Sequence, residues 1–262
     1  MASQAPTQLP LLYRELEPVN RANHSDKKMR RIDAIPDIGS THAVPVTVDE
    51  FMLVGRFFPV IFSSGDTPVP LALMGLHEGT NTYFDKDGRL IDNNVYVPAY
   101  IRRYPFLLAR LTQDSDQLSL CFDPTAGAIG DYDDGDPLFD GEAPAARTNE
   151  ILAFCEQFEQ AGQRTSAFIQ ELKEMKLLME GEVAIQPEGS EQPFIYRGFQ
   201  MVDEQKFRDL RGDELRKMNQ SGMLSLVMAH LFSLALVRDI FARQVAQGTG
   251  PAKAEALATA DA

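Results

Sequence analysis

Two adjacent arginines, Arg102 and Arg103, are the strongest polar feature of a chain whose formal net charge is −13. A guanidinium group binds a carboxylate or a phosphate through two parallel hydrogen bonds, and Tyr100 lies close by in sequence. Neighbouring side chains on a helix point about 100° apart, so the two arginines cannot easily face one ligand. The segment therefore predicts either an anion-binding site that includes Tyr100 or at least one structural ion pair.

Histidines supply a second set of candidates. They do not form the His-x-His or His-x-x-x-His pairs that hold metals, so no metal site is predicted from His24, His42, His77 and His230. His77, in the segment GLHEG, and the nearby Asn81 are candidate ligand-binding residues. His230 lies in an apolar helix, where a buried histidine bonded to the backbone or to a serine is the ordinary interpretation. The alternatives are a ligand-facing role for His230, or a general base formed by His230 or by His77 with Glu78.

An acidic run, DYDDGD at residues 131–136, has the clustered oxygen atoms that Ca²⁺ and Mg²⁺ prefer. It lacks the EF-hand spacing, because Gly135 stands at the fifth position and no glycine stands at the sixth. A solvated acidic loop is the favoured interpretation.

Other cofactor signals are missing from the sequence. There is no Gly-x-Gly-x-x-Gly, P-loop or Cys-x-x-Cys motif, and no cofactor is predicted. The two cysteines, Cys121 and Cys155, lie in apolar runs and are expected to be buried free thiols.

Composition narrows the class of protein. Hydrophobic residues make up 44% of the 262 residues, as in globular proteins. The negative charge argues against nucleic acid and anionic membranes as partners, although it allows a local basic site. The N-terminus does not resemble a secretory signal. The longest apolar run, residues 223–237, is too short to span a membrane, so a cytoplasmic location without a membrane span is expected.

The order of patterns predicts an α+β fold, with an antiparallel β-rich N-terminal half packed with a helix-rich C-terminal half. Strands are expected at residues 11–16, 60–64, 70–76, 106–111 and 117–122, and Asp87-Gly88 predicts a hairpin turn. Helices are expected at residues 148–180 and 222–243.

Shifts in composition divide the chain into five parts. These are an N-terminal extension with the first strand (1–40), a β-rich core with short helices (41–123), an acidic loop (124–147), a helical part with a small hairpin (148–246) and a disordered tail (247–262).

Several segments together resemble the SapC family of bacterial proteins. The resemblance spans roughly residues 40–243, and the segments that carry it are FPVIF (58–62), ALMGL (72–76), NTYF (81–84), YVPAYIRRYPF (96–106), LFDGE (138–142) and AHLFSL (229–234). Family members often have an aromatic residue, commonly tryptophan, soon after the glycine that is Gly88 here, whereas this chain has Arg89 and Leu90.

The resemblance implies an accessory role more than a reaction. The family is named after a surface-layer-associated protein, and its members often lie beside genes for flavin-dependent halogenase-like proteins and outer-membrane transporters. A protein or peptide partner of one of these kinds is therefore expected.

Three functional hypotheses follow. The first is a non-catalytic binding or accessory protein that recognises a peptide or small anionic ligand through residues drawn from His77, Asn81, Tyr100, Arg102, Arg103 and His230. The second is an enzyme of unrecognised type with a histidine general base. The third is a structural protein of the surface layer, at the cell surface.

Overall fold

The computed structural model describes residues 9–111, 117–186 and 192–250, so most of the predicted tail lies outside the described residues. The strands are β1 (Glu17–Pro18), β2 (Lys28–Met29), β3 (Ala43–Pro45), β4 (Val60–Ser63), β5 (Pro70–Leu73), β6 (Phe106–Arg110), β7 (Leu118–Phe122), β8 (Ile129–Gly130), β9 (Asp136–Pro137), β10 (Phe139–Asp140), β11 (Ala143–Pro144), β12 (Leu178–Glu180), β13 (Val183–Ile185), β14 (Phe194–Tyr196) and β15 (Phe199–Val202). The α-helices are α1 (Arg21–His24), α2 (Phe51–Val54), α3 (Ala99–Arg102), α4 (Ala146–Glu174), α5 (Glu204–Arg208), α6 (Gly212–Ser221), α7 (Met223–Ser233) and α8 (Val237–Ala246).

The largest sheet has five strands in the order β12–β15–β4–β5–β3, and every neighbouring pair is antiparallel. Its central strands read VIFS and PLAL and are almost entirely buried. Short continuous apolar runs of this kind are typical of strands covered on both faces. Because β12 and β15 come from the C-terminal half, the sheet joins the two halves of the chain.

Two smaller antiparallel sheets have three strands each. In one, β7 pairs with both β1 and β6, with Phe122 opposite Phe106. In the other, β2 lies between β8 and β9, so Lys28 is opposite Gly130 on one side and Pro137 on the other. The segment predicted as an acidic loop thus contains four short strands, β8 to β11.

The helices cover the sheets. α4 is one continuous helix of 29 residues, and Gly162 does not interrupt it. α7 and α8 follow each other through a 3₁₀ turn, Leu234–Leu236. Within the described residues, Met223–Ala246 is the single helical stretch long and apolar enough to cross a membrane by length and composition, and 28% of its most apolar window is buried.

One main hydrophobic cluster runs from Leu12 to Ile240 and draws on both halves of the chain. A smaller cluster contains Phe106, Phe122, Leu138 and Cys155. The α+β class, with a β-rich N-terminal half and a helix-rich C-terminal half, is confirmed.

Three local predictions are wrong in detail. The helix predicted at residues 148–180 ends at Glu174, and residues 178–180 form β12. Residues 11–16 form a turn and irregular structure, and the first strand is Glu17–Pro18. At Asp87-Gly88 the turn forms, with a φ of 78° at Gly88, but the flanking residues pair only through one bridge between Phe84 and Leu90. A Cβ atom at Gly88 would lie 2.1 Å from the Ile35 carbonyl oxygen, so this turn packs its backbone directly on the segment after β2.

Candidate functional site

A cleft of about 850 Å³ lies where four parts of the chain meet. These are the residues that follow β2, the turn at Gly88, helix α3 with the Tyr104–Pro105 step, and the first turns of α4. We call it the arginine cleft because its lining includes Arg30, Arg31, Arg89, Arg102, Arg103 and Arg147.

The arginine cleft is positively charged although the chain is acidic. Three carboxylates, Asp33, Asp136 and Glu150, accompany the six guanidinium groups in the lining, which leaves an excess of three positive charges. The whole chain carries −13. A cleft lined mainly by one sign of charge focuses the field and concentrates ions of the opposite sign. The lining therefore favours an anion.

Apolar side chains form the rest of the cleft wall. Phe84, Ile101, Phe106, Ile151 and Phe154 all line it. Ligand pockets of several hundred Å³ commonly combine such surfaces with a few polar groups that fix orientation. The mixture suits a ligand that carries both an anionic group and an apolar part.

Arg102 is exposed and is held in place by aromatic rings. Its Nη2 donates to the Tyr96 hydroxyl over 3.0 Å, and its guanidinium carbon lies 5.4 Å from the centre of the Tyr96 ring and 5.2 Å from that of Phe154. A cation is attracted to the faces of such rings. Within the described ranges no carboxylate pairs with Arg102, so its other donors are available to a ligand.

Glu50 holds the other side of Tyr96. This carboxylate, 4% exposed, accepts hydrogen bonds from the Tyr96 hydroxyl (2.9 Å), the Ala99 N–H (2.8 Å) and the Thr47 N–H (3.3 Å). Burial raises the pKa of Glu50, and these hydrogen bonds act in the opposite direction. Glu50 thereby ties the start of α3 and, through Tyr96, the Arg102 guanidinium to the core.

Arg103 is buried, with 7% exposure, and packs among rings. Its guanidinium carbon lies 4.1 Å from the centre of the Phe158 ring and 4.7 Å from that of Tyr100, whose hydroxyl donates to the Leu11 carbonyl. Among the described residues its one ionic partner is distant, since Nη1 lies 3.5 Å from Glu159 Oε1. The Nε of Arg103 has no hydrogen-bond partner.

Tyr104 carries a second unpartnered atom. Its hydroxyl is buried without a hydrogen bond, and burial raises its pKa to about 12, so it stays protonated at neutral pH. In the part of the chain that the structure describes, the Tyr104 hydroxyl and Arg103 Nε are the two buried side-chain nitrogen or oxygen atoms without a partner. Buried polar atoms in native proteins are nearly always bonded, so two adjacent exceptions, on residues that both contribute to the lining of the cleft, are unusual.

His230 lies outside the arginine cleft, in the core between α7 and the main sheet. It is fully buried, and its ring lies 4.7 Å from that of Phe62. Nδ1 is 2.7 Å from the Val60 carbonyl, which can only accept, so Nδ1 carries the proton and Nε2 accepts from the Val202 N–H over 3.0 Å. Burial lowers the pKa of His230 to about 4. Both ring nitrogens are thus occupied by backbone groups.

The structure also places His77 and Asn81 outside the lining of the cleft. His77 is exposed, and its Nε2 lies 2.8 Å from the Thr80 hydroxyl. The Asn81 amide is buried: its nitrogen donates to the Ile38 and Thr41 carbonyls, and its oxygen accepts from the N–H groups of Tyr83 and Phe84. Of the candidates, Arg102 and Arg103 line one cleft, with Tyr100 packed against Arg103.

The histidines, the acidic run and the two cysteines, which the sequence also raised as candidates, do not form a metal site or a disulfide among the described residues. Among the described residues no group of three or more His, Cys, Asp or Glu side chains could hold a metal ion. The acidic run pairs with basic residues, as in the 2.6 Å contact between Asp131 and Lys27. Cys121 and Cys155 are free and buried, and burial raises the pKa of each thiol to about 11.

The fold and the cleft define an α+β protein with a positively charged, partly apolar cleft. The chain belongs to the SapC family, whose model, described as SapC, matches residues 19–240. That match includes every residue that lines the arginine cleft. A search of curated proteins and a search of solved structures each gave no match.

Several residues of the site were missed by sequence reasoning. Tyr104 stands within the segment that contains Arg102 and Arg103, but nothing local shows that its hydroxyl lacks a partner. Glu50 lies 46 residues before Tyr96, and no spacing rule connects them. The other four arginines are spread over residues 30–147, so only the tertiary fold brings them together.

Proposed function

We propose that this SapC-family protein is a non-catalytic binding or accessory protein whose arginine cleft recognises an anionic ligand with an apolar part, either a small molecule or a peptide. The observation that carries the proposal is the exposed Arg102 guanidinium, which no carboxylate among the described residues pairs with, in a lining whose charged residues leave an excess of three positive charges. A carboxylate or phosphate oxygen accepts from the remaining donors of such a guanidinium.

The size and lining of the cleft support a ligand larger than a simple ion. A volume of about 850 Å³ is within the range of pockets that hold drug-sized molecules. The rings of Phe84 and Phe154 and the aliphatic side chains of Ile101 and Ile151 offer apolar surface beside the guanidinium groups. Burial of apolar ligand surface against them adds affinity that an inorganic anion does not gain.

The chemistry of the lining supports binding in preference to catalysis. No histidine or cysteine is among the described residues that line the cleft. Of the carboxylates there, Glu150 is paired with Arg147 at 2.8 Å, and the Tyr104 hydroxyl is a donor at neutral pH. A histidine general base, the alternative considered from the sequence, therefore has no residue in this lining to carry it.

Isothermal titration calorimetry with three probes tests the proposal. The probes are 2-naphthoate, its neutral analogue 2-naphthylmethanol, and inorganic phosphate. We expect 2-naphthoate to bind at least about tenfold more tightly than either of the others, because only it offers both charge and apolar surface. Equal affinity for the acid and the alcohol, or no binding of any probe, contradicts the proposal.

Variants assign the binding to the cleft. We expect Arg102→Ala and Arg103→Leu each to weaken 2-naphthoate binding by roughly tenfold, since each removes the positive charge of a residue that contributes to the lining. Arg164→Ala is the matched control, because Arg164 is an exposed arginine paired with Asp49 outside the cleft. Circular dichroism confirms that each variant is folded. Unchanged affinity in both cleft variants removes the two arginines from the site.

A further inference from the structure

The acidic run lies across the edge of the arginine cleft. Residues 131–136, which we call the acidic strap, lead from β8 to the first residue of β9. Both of these strands pair with β2, one on each side, so the strap crosses β2 from its Lys28 end to its Met29 end, where Arg30 follows. Gly135 permits the close approach: its φ is 115°, and a Cβ atom there would lie 2.5 Å from the Met29 carbonyl oxygen.

The strap holds one of the cleft arginines. The Asp134 carboxylate accepts a hydrogen bond from Arg30 Nη2, and the Arg30 guanidinium carbon lies 4.0 Å from the centre of the Tyr132 ring. Arg30 lines the cleft, and so does Asp136 at the end of the strap. One carboxylate of the strap therefore occupies a guanidinium of the cleft, and another reduces the positive charge of its lining.

These contacts are of a kind that a ligand can displace. The Asp134 side chain is 80% exposed and that of Arg30 is 43% exposed. Exposed ion pairs contribute little net stability, because water solvates the separated partners well. An incoming anion therefore meets little resistance when it takes the place of Asp134 at Arg30.

We propose that the acidic strap is an internal competitor for the anionic ligand of the arginine cleft. In the free protein Asp134 occupies Arg30; a bound ligand takes over the Arg30 guanidinium, and Asp134 turns to solvent. This inference rests on the proposed function, and it adds that the affinity of the cleft is held down by the chain's own carboxylates.

The test compares two neutralising variants of the same strap. The probe is 2,6-naphthalenedicarboxylate, titrated by calorimetry at an ionic strength of about 0.15 M to screen long-range effects. We expect Asp134→Asn to raise its affinity roughly fivefold. Asp131→Asn makes the same change in net charge, but Asp131 pairs with Lys27, which is outside the cleft lining, and we expect a change of less than about twofold.

A double-mutant cycle identifies the route of the effect. Asp134→Asn is introduced into an Arg30→Gln background, in which the guanidinium that Asp134 pairs with is absent. We expect the gain in affinity to disappear there, because the two changes act on one interaction. The proposal is overturned if Asp134→Asn still raises the probe affinity in the Arg30→Gln background. It is also overturned if Asp131→Asn raises the affinity as much as Asp134→Asn does.

The two proposals fail in distinguishable ways. If Arg102→Ala and Arg103→Leu weaken probe binding while Asp134→Asn leaves it unchanged, only the proposal of an internal competitor is overturned. If the wild-type chain and the Asp134→Asn variant both fail to bind the probe, the proposed function and the competitor are overturned together.

Discussion

The arginine cleft and the surroundings of His230 both bury polar side chains, but only the second region satisfies all of them. In the histidine core, which we define as His230 and Ser233 with Val60, Val202 and Phe62, every polar side-chain atom has a partner. The Ser233 hydroxyl donates to the His230 carbonyl and accepts from the Val60 N–H. In the cleft, Arg103 Nε and the Tyr104 hydroxyl have none.

The comparison shows that burial alone does not separate a structural polar residue from a binding one. His230 is fully buried and Arg103 is 7% exposed, so exposure hardly distinguishes them. The two residues differ in how many of their polar side-chain atoms have a hydrogen-bond partner. A buried polar group without a partner costs free energy that the fold alone does not recover. Substitutions in the two regions should therefore have opposite effects on stability and on binding.

Replacing His230 should have the largest effect. We expect His230→Ala to lower the free energy of unfolding by about 3 to 5 kcal/mol, since it opens a cavity and leaves the Val60 carbonyl and the Val202 N–H without partners. Urea denaturation followed by circular dichroism measures the change. His77→Ala is the matched control: His77 is exposed, and its loss should cost less than about 0.5 kcal/mol. A His230 variant as stable as the control would break the comparison.

The same histidine should make stability depend on pH. Its pKa falls from 6.5 to about 4 on folding, so the unfolded chain binds more protons between these values. The contribution is fully present above pH 6.5 and is lost as the pH falls towards 4, by about 3 kcal/mol in all.

The variant His230→Gln isolates this contribution, because the carboxylates titrate alike in both chains. Urea denaturation at a series of pH values from 7 to 4 should show a smaller loss of stability in the variant. Parallel curves for the two chains would show that His230 is not buried as a neutral ring.

Much of the fold follows from local pattern, whereas the pairing between distant strands does not. The apolar runs VIFS and PLAL predict β4 and β5, and the amphipathic segment after residue 148 predicts most of α4. The insertion of β15 between β12 and β4 is a contact between halves of the chain, and no turn or spacing signals it.

The candidate site also contains residues that the sequence alone could select and features that only the tertiary structure shows. Arg102 and Arg103 could be selected because two adjacent arginines are visible in an acidic sequence. The apolar helix likewise predicts a buried His230 bonded to the backbone, but it cannot show which groups bond it, because they lie 28 and 170 residues away. Residue type therefore selects candidates, and only the tertiary structure shows which atoms remain free.

The hydrogen bonds from Glu50 through Tyr96 to Arg102 connect the satisfied core to the cleft, so they should show an intermediate effect. We expect Tyr96→Phe to lower the free energy of unfolding by about 1 kcal/mol, because it removes one hydrogen bond to a buried carboxylate. It should also weaken 2-naphthoate binding by about threefold, since Arg102 loses its anchor at Nη2. Calorimetry and urea denaturation measure the two effects. Tyr83→Phe, which removes a tyrosine hydroxyl bonded to the Phe57 carbonyl outside the cleft lining, is the control and should leave 2-naphthoate binding unchanged.

Replacing Arg103 should have the smallest effect on stability and a large one on binding. In Arg103→Leu the fold loses contacts between the guanidinium and the rings of Phe158 and Tyr100, together with a 3.5 Å ion pair to a half-exposed Glu159. It also loses the cost of burying an unpartnered Nε, and leucine keeps apolar contact with the rings. Because these terms oppose each other, we expect the free energy of unfolding to change by less than about 1 kcal/mol, while 2-naphthoate binding falls roughly tenfold. A loss of stability as large as that of His230→Ala would instead make Arg103 a second structural residue, and the two regions would no longer differ in kind.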